Sequence, residues 1–366
     1  MMKKKSSIYV GIGIFLILTV VIVLNFNERN KTYRLRPGSI NYEEALMEMN
    51  GKESKNSIAS FGLGGYKDGI IYSFKSLEDG YEYYITENGV TNPIYTSHAS
   101  AILCNQMYGD RLIICEFSAE EQMSFIIKQI GRRYEEILFR VNCSGMPTIE
   151  VIGDCLLVNY GLYNDGTVEQ PLILYNLKTK VSKVIGSYSY FKNEKGNYDG
   201  NLLQAADGFD NGIIFEIISF NDEDINPDET GKPELFYYDF IEEHVQKLPI
   251  KLPRKLLYVT GDINCVITSD YASEMPLNDV GTIYILENGK YIDMKIPDIE
   301  SGNDIIQAYR INNKVVALQT LNDIYLIDIG KKVYEKIANS NPIRANGKSI
   351  GYIGQDGNLN IYRFSD

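Results

Sequence analysis

Hydrophobic residues are distributed in two different ways along the chain. Residues 8–26 form one apolar stretch without a charge, whereas the chain beyond residue 55 consists of short apolar runs separated by turn-forming dipeptides such as Asn88-Gly89 and Asp165-Gly166. A long uninterrupted run is typical of a membrane-spanning helix, while short runs bounded by Gly, Asn and Asp are typical of β-strands. The pattern predicts one N-terminal helix followed by an all-β region.

Residues 8–26 are predicted to be a transmembrane signal-anchor. A helix of this length nearly matches the roughly 30 Å hydrocarbon core of a bilayer. The lysines of the short tail 1–7 favour a cytoplasmic N-terminus. The apolar run is longer than that of a cleaved signal peptide, and no cysteine precedes Cys104, which argues against a lipoprotein. We therefore expect a single-pass protein of the cell membrane with its C-terminal domain outside the cytoplasm.

A four-strand unit repeats through residues 56–366. The second strands are predicted at Gly69–Phe74, Arg111–Phe117, Cys155–Tyr160, Gly212–Ser219, Asn264–Ser269, Lys314–Leu318 and Lys348–Ile353. The third strands are predicted at Tyr81–Thr86, Met123–Gln129, Gln170–Asn176, Glu234–Tyr238, Gly281–Glu287, Asp323–Ile327 and Leu359–Arg363. A unit that returns about every 44 residues indicates a repeat architecture built from small sheets.

Four antiparallel strands at this spacing resemble the irregular β-propellers of bacterial envelope proteins, including the propeller of the Tol system and membrane-anchored relatives. The resemblance covers residues 30–366 and implies a seven-bladed propeller that serves chiefly in binding or scaffolding. It is one of pattern only, since no Trp-Asp dipeptide or kelch double glycine is present. Six or eight blades, or two β-sandwich domains, are the alternatives.

Residues 27–55 are predicted to be a stalk between the anchor and the repeats. The last repeat unit stops after its third strand, so another segment has to complete its sheet. Tyr33–Arg36 is the predicted closing strand, and Tyr42–Met49 is predicted to form a short helix. A stalk that also closes the ring would hold the repeat domain close to the membrane.

The longest predicted loops lie between second and third strands or between successive units, which places them on one face of a propeller. They are residues 161–169, 186–201, 220–233 and 270–280. The aromatic residues predicted to bind a ligand there are Tyr163, Tyr188, Tyr190, Tyr198 and Tyr271. Aromatic rings beside Asn and Asp could bind a peptide or a glycan. Packing of these rings on their own blades is the alternative.

An acidic segment on the same face is a candidate calcium site. Its potential ligands are Asp222, Asp224, Asn226 and Asp228. Alternating oxygen ligands suit Ca²⁺, and the start of the segment resembles the calcium loops of integrin-type propellers. Glu229 stands where those loops have glycine, so a solvated acidic loop without a metal is the alternative. No other cofactor is expected.

The charged and nucleophilic residues limit the possible functions. A formal net charge of −12 argues against nucleic acid as a partner. There are two histidines without metal-ligand spacing, and neither a P-loop nor a Gly-x-Ser-x-Gly motif occurs. We therefore predict a non-enzymatic binding or scaffolding module for an envelope protein, peptide or glycan. The alternative is a glycan-active envelope enzyme, with acids drawn from Asp165, Glu169, Asp222, Glu274 and Asp279.

Two of the five cysteines are predicted to face each other. Cys104 and Cys115 are equally far from the Gly109-Asp110 turn, so an antiparallel hairpin would place them opposite one another. An oxidising exterior could join them, and two buried thiols are the other interpretation.

Overall fold

The computed structural model describes residues 33–47, 61–67, 69–118, 124–143, 147–209, 211–224, 231–252, 256–270, 279–297, 305–339, 343–346, 348–354 and 358–365. Every regular element within these ranges is a β-strand. No helix long and apolar enough to span a bilayer occurs in them. The predicted anchor at residues 8–26 lies outside the described residues.

The strands form six sheets, which we call A to F. Three short strands come first along the chain: β1 (Tyr33–Arg34), β2 (Arg36–Pro37) and β3 (Glu43–Met47). Sheet A contains β4 (Phe61–Lys67), β5 (Ile70–Leu77), β6 (Gly80–Glu87) and β7 (Val90–Ser97). Sheet B contains β8 (Ala101–Tyr108), β9 (Arg111–Ser118), β10 (Ser124–Gly131) and β11 (Tyr134–Asn142).

Sheet C has nine strands and consists of two groups. The first group is β12 (Thr148–Ile152), β13 (Cys155–Asn159), β14 (Leu162–Asn164), β15 (Thr167–Asn176) and β16 (Ser182–Lys192). The second is β17 (Tyr198–Phe209), β18 (Gly212–Asp224), β19 (Lys232–Asp239) and β20 (Val245–Lys247). The groups are joined where Tyr190–Lys192 of β16 pair with Tyr198–Gly200 of β17.

The last three sheets each include one of the three N-terminal strands. Sheet D contains β21 (Leu256–Asp262), β22 (Cys265–Asp270), β23 (Asp279–Glu287) and β24 (Lys290–Pro297), with β1 at its edge. Sheet E contains β25 (Ile305–Arg310), β26 (Val315–Thr320), β27 (Asp323–Asp328) and β28 (Val333–Asn339), with β2 at its edge. Sheet F contains β29 (Arg344–Asn346), β30 (Ser349–Ile353), β31 (Leu359–Arg363) and β3.

The second and third strands predicted from the sequence are confirmed to within a few residues. They are the most apolar strands because neighbouring sheets bury both of their faces. In sheet E, every residue of β26 and of β27 is buried. Ile267 and Ile283 of sheet D pack with Val316 and Leu318 of sheet E, and comparable apolar clusters join the other neighbouring sheets. The core is thus a series of layers between sheets.

The first strands of the four-strand groups form a closed cycle. Contacts join β4 to β8, β8 to β12, β12 to β17, β17 to β21, β21 to β25, and β29 back to β4. The remaining pair of first strands, β25 and β29, is joined by a hydrogen bond of 3.0 Å, which Arg344 Nη1 donates to Gln307 Oε1. The first strands therefore surround a central channel.

Residues 33–47, which we call the strap, join three sheets. β1 pairs in parallel with β24, β2 pairs in parallel with β28, and β3 pairs antiparallel with β31. Leu35 and Ile40 are each 5% exposed between these strands. This part of the predicted stalk is thus built into the sheets.

The predicted closing strand and the predicted short helix are both wrong. The strand that completes sheet F is Glu43–Met47, and not Tyr33–Arg36, which runs along sheets D and E. Within the segment predicted as a helix, Glu43–Met47 form strand β3. Pairing with the free edge of β31, together with packing of Ala45 and Met47 in the cluster between sheets F and A, overrides its helical propensity.

Residues 62–65 include three glycines and lie within strand β4. A Cβ atom on Gly65 would lie 2.2 Å from Met107 Cγ. Glycine is therefore needed for the close approach of the first strands of sheets A and B.

Gly261 is a position where a single added methyl group should be strongly destabilising. Its φ of +136° is unfavourable for other residues, and an added Cβ would lie 2.0 Å from the backbone oxygen of Cys265. We expect Gly261→Ala to lower the free energy of unfolding by about 3 kcal/mol, measured by urea denaturation. Gly289→Ala is the control, because Gly289 also has a positive φ but nothing lies within 4 Å of its Cβ position. Equal losses in both variants would refute the steric explanation.

Candidate functional site

A cavity of about 420 Å³, which we call the channel cavity, lies between the first strands. The ends of β8, β12, β17, β25 and β29 contribute residues to its wall. Gly153, in the turn from β12 to β13, also lines it, so the cavity lies where first strands turn into second strands. This is the opposite end of the strands from the predicted ligand-binding face.

Polar groups of neighbouring first strands contact each other around one side of the channel cavity. Gln106 of β8 donates its amide Nε2–H to a carboxyl oxygen of Glu150 on β12 and accepts from the backbone N–H of Val151. Tyr258 of β21 donates to Asp207 Oδ2 on β17 at 3.0 Å. The Tyr258 hydroxyl in turn accepts from the backbone N–H of Ala308 on β25 at 3.1 Å.

Arg344 contributes a positive charge on the other side. Its Nε donates to the backbone oxygen of Gly64 at 3.2 Å, and its Nη1 donates to Gln307 Oε1 at 3.0 Å and to the oxygen of Ile343 at 2.8 Å. These bonds tie β29 to both of its neighbours and fix the orientation of the guanidinium group. The charge of Arg344 lies close enough to Glu150 to lower the pKa of that carboxyl against the effect of burial.

Glu150 and Asp207, which we call the acid pair, interact strongly. Burial raises the pKa of Glu150 from 4.5 to about 8, and the negative charge of Asp207 contributes to this shift. Burial also raises the pKa of Asp207 from 3.8 to about 6, against the hydrogen bonds from the Gly208 N–H and the Tyr258 hydroxyl. Two carboxyls that are buried close together cannot both ionise easily, so the acid pair keeps one proton at neutral pH.

An ion pair between Arg310 and Asp262 also lies at the wall of the channel cavity. Arg310 Nη1 lies 2.7 Å from Asp262 Oδ2, and both side chains are mostly buried. Asp262 also accepts from the backbone N–H groups of Asn264 and Cys265. Because Arg310 is held by Asp262, the other charged groups of the cavity wall are the acid pair, Arg344 and the exposed Lys348.

The described residues of three predicted long loops lie mostly in strands, which come together at the other end of sheet C. Residues 162–169, 187–201 and 219–224, which we call the arm, continue β14 to β18 beyond the body of the sheet. β17 starts in the arm at Tyr198 and reaches the channel cavity with Asp207. At about 3.3 Å per residue the two regions are roughly 30 Å apart.

The predicted tyrosines have different environments in the arm. Tyr190 and Tyr198 pack with Phe220, with ring centroids 6.1 Å and 6.0 Å from it, and Tyr188 packs 6.1 Å from Phe215. Tyr163 is 66% exposed. Tyr271 lies outside the described residues. Ligand binding by these five tyrosines stays a prediction, and those of them that the structure describes do not line the channel cavity.

Only some of the predicted calcium ligands and alternative catalytic acids lie within the described residues. Asp222 and Asp224 lie on β18, whereas Asn226 and Asp228 fall outside the described residues. Asp165 and Glu169 are exposed in the arm, Asp279 starts β23, and Glu274 is not described. The described residues contain no group of three or more His, Cys, Asp or Glu side chains arranged to hold a metal ion. The calcium site itself stays a prediction.

Cys104 and Cys115 are direct partners in the pairing of β8 with β9, as predicted. Both thiols are free and buried.

The comparison with solved structures decides the fold class. The chain superposes on the tricorn protease with a TM-score of 0.50 at 10% identity, over 89% of this chain and 34% of that one. It also matches the β-propeller domain of the Trilobed protease from Pyrococcus furiosus, with a TM-score of 0.49 and 12% identity over 80% and 88% of the two chains.

The chain is a β-propeller. A third structure that it resembles is TolB from Acinetobacter baumannii, with a TM-score of 0.37 and 12% identity over 90% of this chain and 65% of that one. Neither a protein-family model nor a curated protein sequence matches the chain. At 10% identity, the superposition on the tricorn protease shows the fold alone.

The channel residues of this propeller could not be found from the sequence. Gln106, Glu150, Asp207, Tyr258 and Arg344 are separated by about 40 to 90 residues, and none belongs to a motif. The one signal is weak: Glu150 is the one charged residue of β12, and Asp207 directly follows Ala205 and Ala206 near the end of β17. Only the closure of the ring brings them together.

Proposed function

We propose that this chain is a membrane-anchored, extracytoplasmic binding module, a seven-bladed propeller that holds a ligand in its channel cavity without converting it. Seven blades are supported by the two groups of sheet C, each with its own first strand in the closed cycle. The anchor at residues 8–26 places the propeller outside the cytoplasm. Residues 27–32 would then be the whole link to the strap, and six residues span at most about 20 Å.

The observation that carries the proposal is the half-buried mixed-charge cluster in the channel cavity. Glu150, Asp207 and Arg344 each have a partly exposed side chain inside a cavity, although burial of charge is costly. Such groups are retained in a pocket when they bind a ligand, and a pocket with a few convergent polar groups is the usual form of a ligand site. A peptide, a protein terminus or a glycan fits this class of site.

An enzymatic role is the second candidate, and the acid pair is the observation that favours it. Two carboxyls with separated pKa values could act as general acid and general base in the hydrolysis of a glycan. The acids would then be Glu150 and Asp207 rather than Asp165 and Glu169 of the arm. Release of reducing sugar from an envelope glycan, lost in Asp207→Asn, would establish this alternative in place of simple binding.

The binding proposal predicts a ligand that copurifies with the chain. We expect native mass spectrometry of the full chain, extracted from its own membrane, to show an added mass. The fraction of chains that carry this mass should fall at least tenfold in Asp207→Asn. Glu169→Gln is the matched control, since it neutralises an exposed acid in the arm. An added mass that persists in Asp207→Asn and disappears in Glu169→Gln would move the site to the arm and contradict the assignment to the channel.

A further inference from the structure

We propose that the ligand of the channel cavity is a small zwitterion, an amino acid or short peptide, whose ammonium group binds at the acid pair and whose carboxylate binds Arg344. This inference rests on the proposed function, because it names the ligand chemistry of the same cavity.

Asp207 provides the negative charge for the ammonium group. Its two carboxylate oxygens accept hydrogen bonds from the Gly208 N–H at 2.6 Å and from the Tyr258 hydroxyl at 3.0 Å. These donors stabilise the ionised form of Asp207, so the shared proton of the acid pair resides mainly on Glu150. A protonated Glu150 offers both a donor and an acceptor beside the charge of Asp207.

Arg344 provides the positive charge for the carboxylate. Its Nε and Nη1 are engaged by Gly64, Gln307 and Ile343, which hold the guanidinium plane in one orientation. A fixed guanidinium binds a carboxylate with geometric specificity as well as charge, and little side-chain entropy remains to be lost. Tyr309, whose pKa burial also raises, lies beside Arg344 and stays a neutral hydrogen-bonding group.

The balance of charge selects a zwitterion over a simple ion. The acid pair with one proton carries one negative charge, and Arg344 carries one positive charge. Lys348 also lines the cavity, but its side chain is exposed and water screens its charge. A ligand with one charge of each sign pairs with both the acid pair and Arg344, whereas a pure cation or a pure anion leaves one of these charges unmatched inside the cavity. The described residues supply no third acid that would favour a metal ion here.

The size of the channel cavity limits the ligand to a small molecule. About 420 Å³ is near the lower end of the roughly 300–1,000 Å³ found for small-molecule pockets. An amino acid or a peptide of two or three residues fits such a volume, whereas a folded partner would reach only the mouth of the channel.

Isothermal titration of the full chain in lipid nanodiscs with alanyl-alanine tests the inference. The matched probes are N-acetyl-alanyl-alanine, which lacks the ammonium group, and alanyl-alanine amide, which lacks the carboxylate. We expect each to bind at least tenfold more weakly than alanyl-alanine at pH 7. A fourth probe is alanine itself. Affinity for alanine equal to that for alanyl-alanine would indicate a site for free amino acids, whereas weaker binding of alanine would indicate a site for peptides.

Three variants separate the roles of the charges. Asp207→Asn should weaken the binding of alanyl-alanine at least tenfold, whereas Glu169→Gln, which neutralises an exposed acid of the arm outside the cavity, should stay within about threefold of the native chain. Arg344→Gln should reverse the preference, so that the amide binds more tightly than alanyl-alanine itself. Thermal unfolding of each variant checks that the fold is retained.

The possible failures are distinguishable. Equal affinities for alanyl-alanine and both blocked probes would overturn the zwitterion inference. Binding of a neutral disaccharide in the absence of any binding of these four compounds would do the same, and it would leave the proposed channel site in place. If no probe binds and no ligand copurifies with the native chain, both the zwitterion inference and the channel site are rejected.

Discussion

A chain that begins at residue 48 should fail to fold cooperatively, whereas a chain that begins at residue 33 should fold. The difference between them is the strap, which supplies the last strand of sheet F and edge strands to sheets D and E. Burial of Leu35 and Ile40 contributes about 1.5–3 kcal/mol each, and pairing of β3 adds to it. The sum approaches the 5–15 kcal/mol that usually separate native from unfolded domains. Circular dichroism during urea denaturation measures the outcome.

Point variants of the strap provide a matched control for this truncation. Ile40 is 5% exposed and Leu46 is 57% exposed. Ile40→Ala should therefore lower the free energy of unfolding by about 2–4 kcal/mol, while Leu46→Ala should change it by less than about 0.5 kcal/mol. A chain from residue 48 that unfolds at the same urea concentration as the longer chain would show that the strap is dispensable.

Between pH 4 and pH 8 the acid pair should make the protein less stable as the pH rises. The folded-state pKa values of Asp207, about 6, and Glu150, about 8, lie above the ordinary values of 3.8 and 4.5 because of burial. The folded protein therefore binds more protons than the unfolded chain in this interval. The contribution of the acid pair to the free energy of unfolding is complete below about pH 4. It is lost as the pH rises through about 6 and then about 8.

Glu150→Gln isolates this effect from the other titrating groups. At pH 5 the variant should be about as stable as the native chain. At pH 8.5 it should be more stable by roughly 4 kcal/mol, since the pKa of Glu150 rises from 4.5 to about 8 on folding and each unit corresponds to about 1.36 kcal/mol. Glu136, Asp154 and Glu234, whose pKa values are lowered by hydrogen bonds, titrate below this interval. Urea denaturation at several pH values is the measurement, and a constant difference between the two proteins would refute the coupling.

The arm is a region whose local amino-acid composition predicts the wrong secondary structure. Residues 186–201 have the composition of a loop, with Gly, Asn, Ser and Lys between aromatic residues. In the structure they form a hairpin, because β16 and β17 extend past the body of sheet C and pair with each other. Cross-strand packing of Tyr190 and Tyr198 against Phe220 stabilises this extension. Tertiary pairing thus overrides a local preference for irregular structure.

Cys104 and Cys115 illustrate the kind of contact that a sequence can predict. Both belong to one hairpin with a recognisable turn, so counting residues from Gly109-Asp110 is enough to place them opposite each other. The channel cavity is a contrasting case, because Glu150 and Asp207 belong to two blades and meet only where the first strands of those blades lie side by side.

The sequence by itself determined the strands, the repeat and the propeller class, because these depend on alternation of apolar runs and turn residues within a single unit. It predicted the strands β26 and β27 to within a few residues, since strands buried on both faces need continuous apolar side chains. Only the tertiary structure decided that Glu43–Met47 closes sheet F, and that Glu150, Asp207 and Arg344 share one cavity. Both results depend on closing the ring, which brings together residues far apart in the chain, and no local pattern encodes that closure.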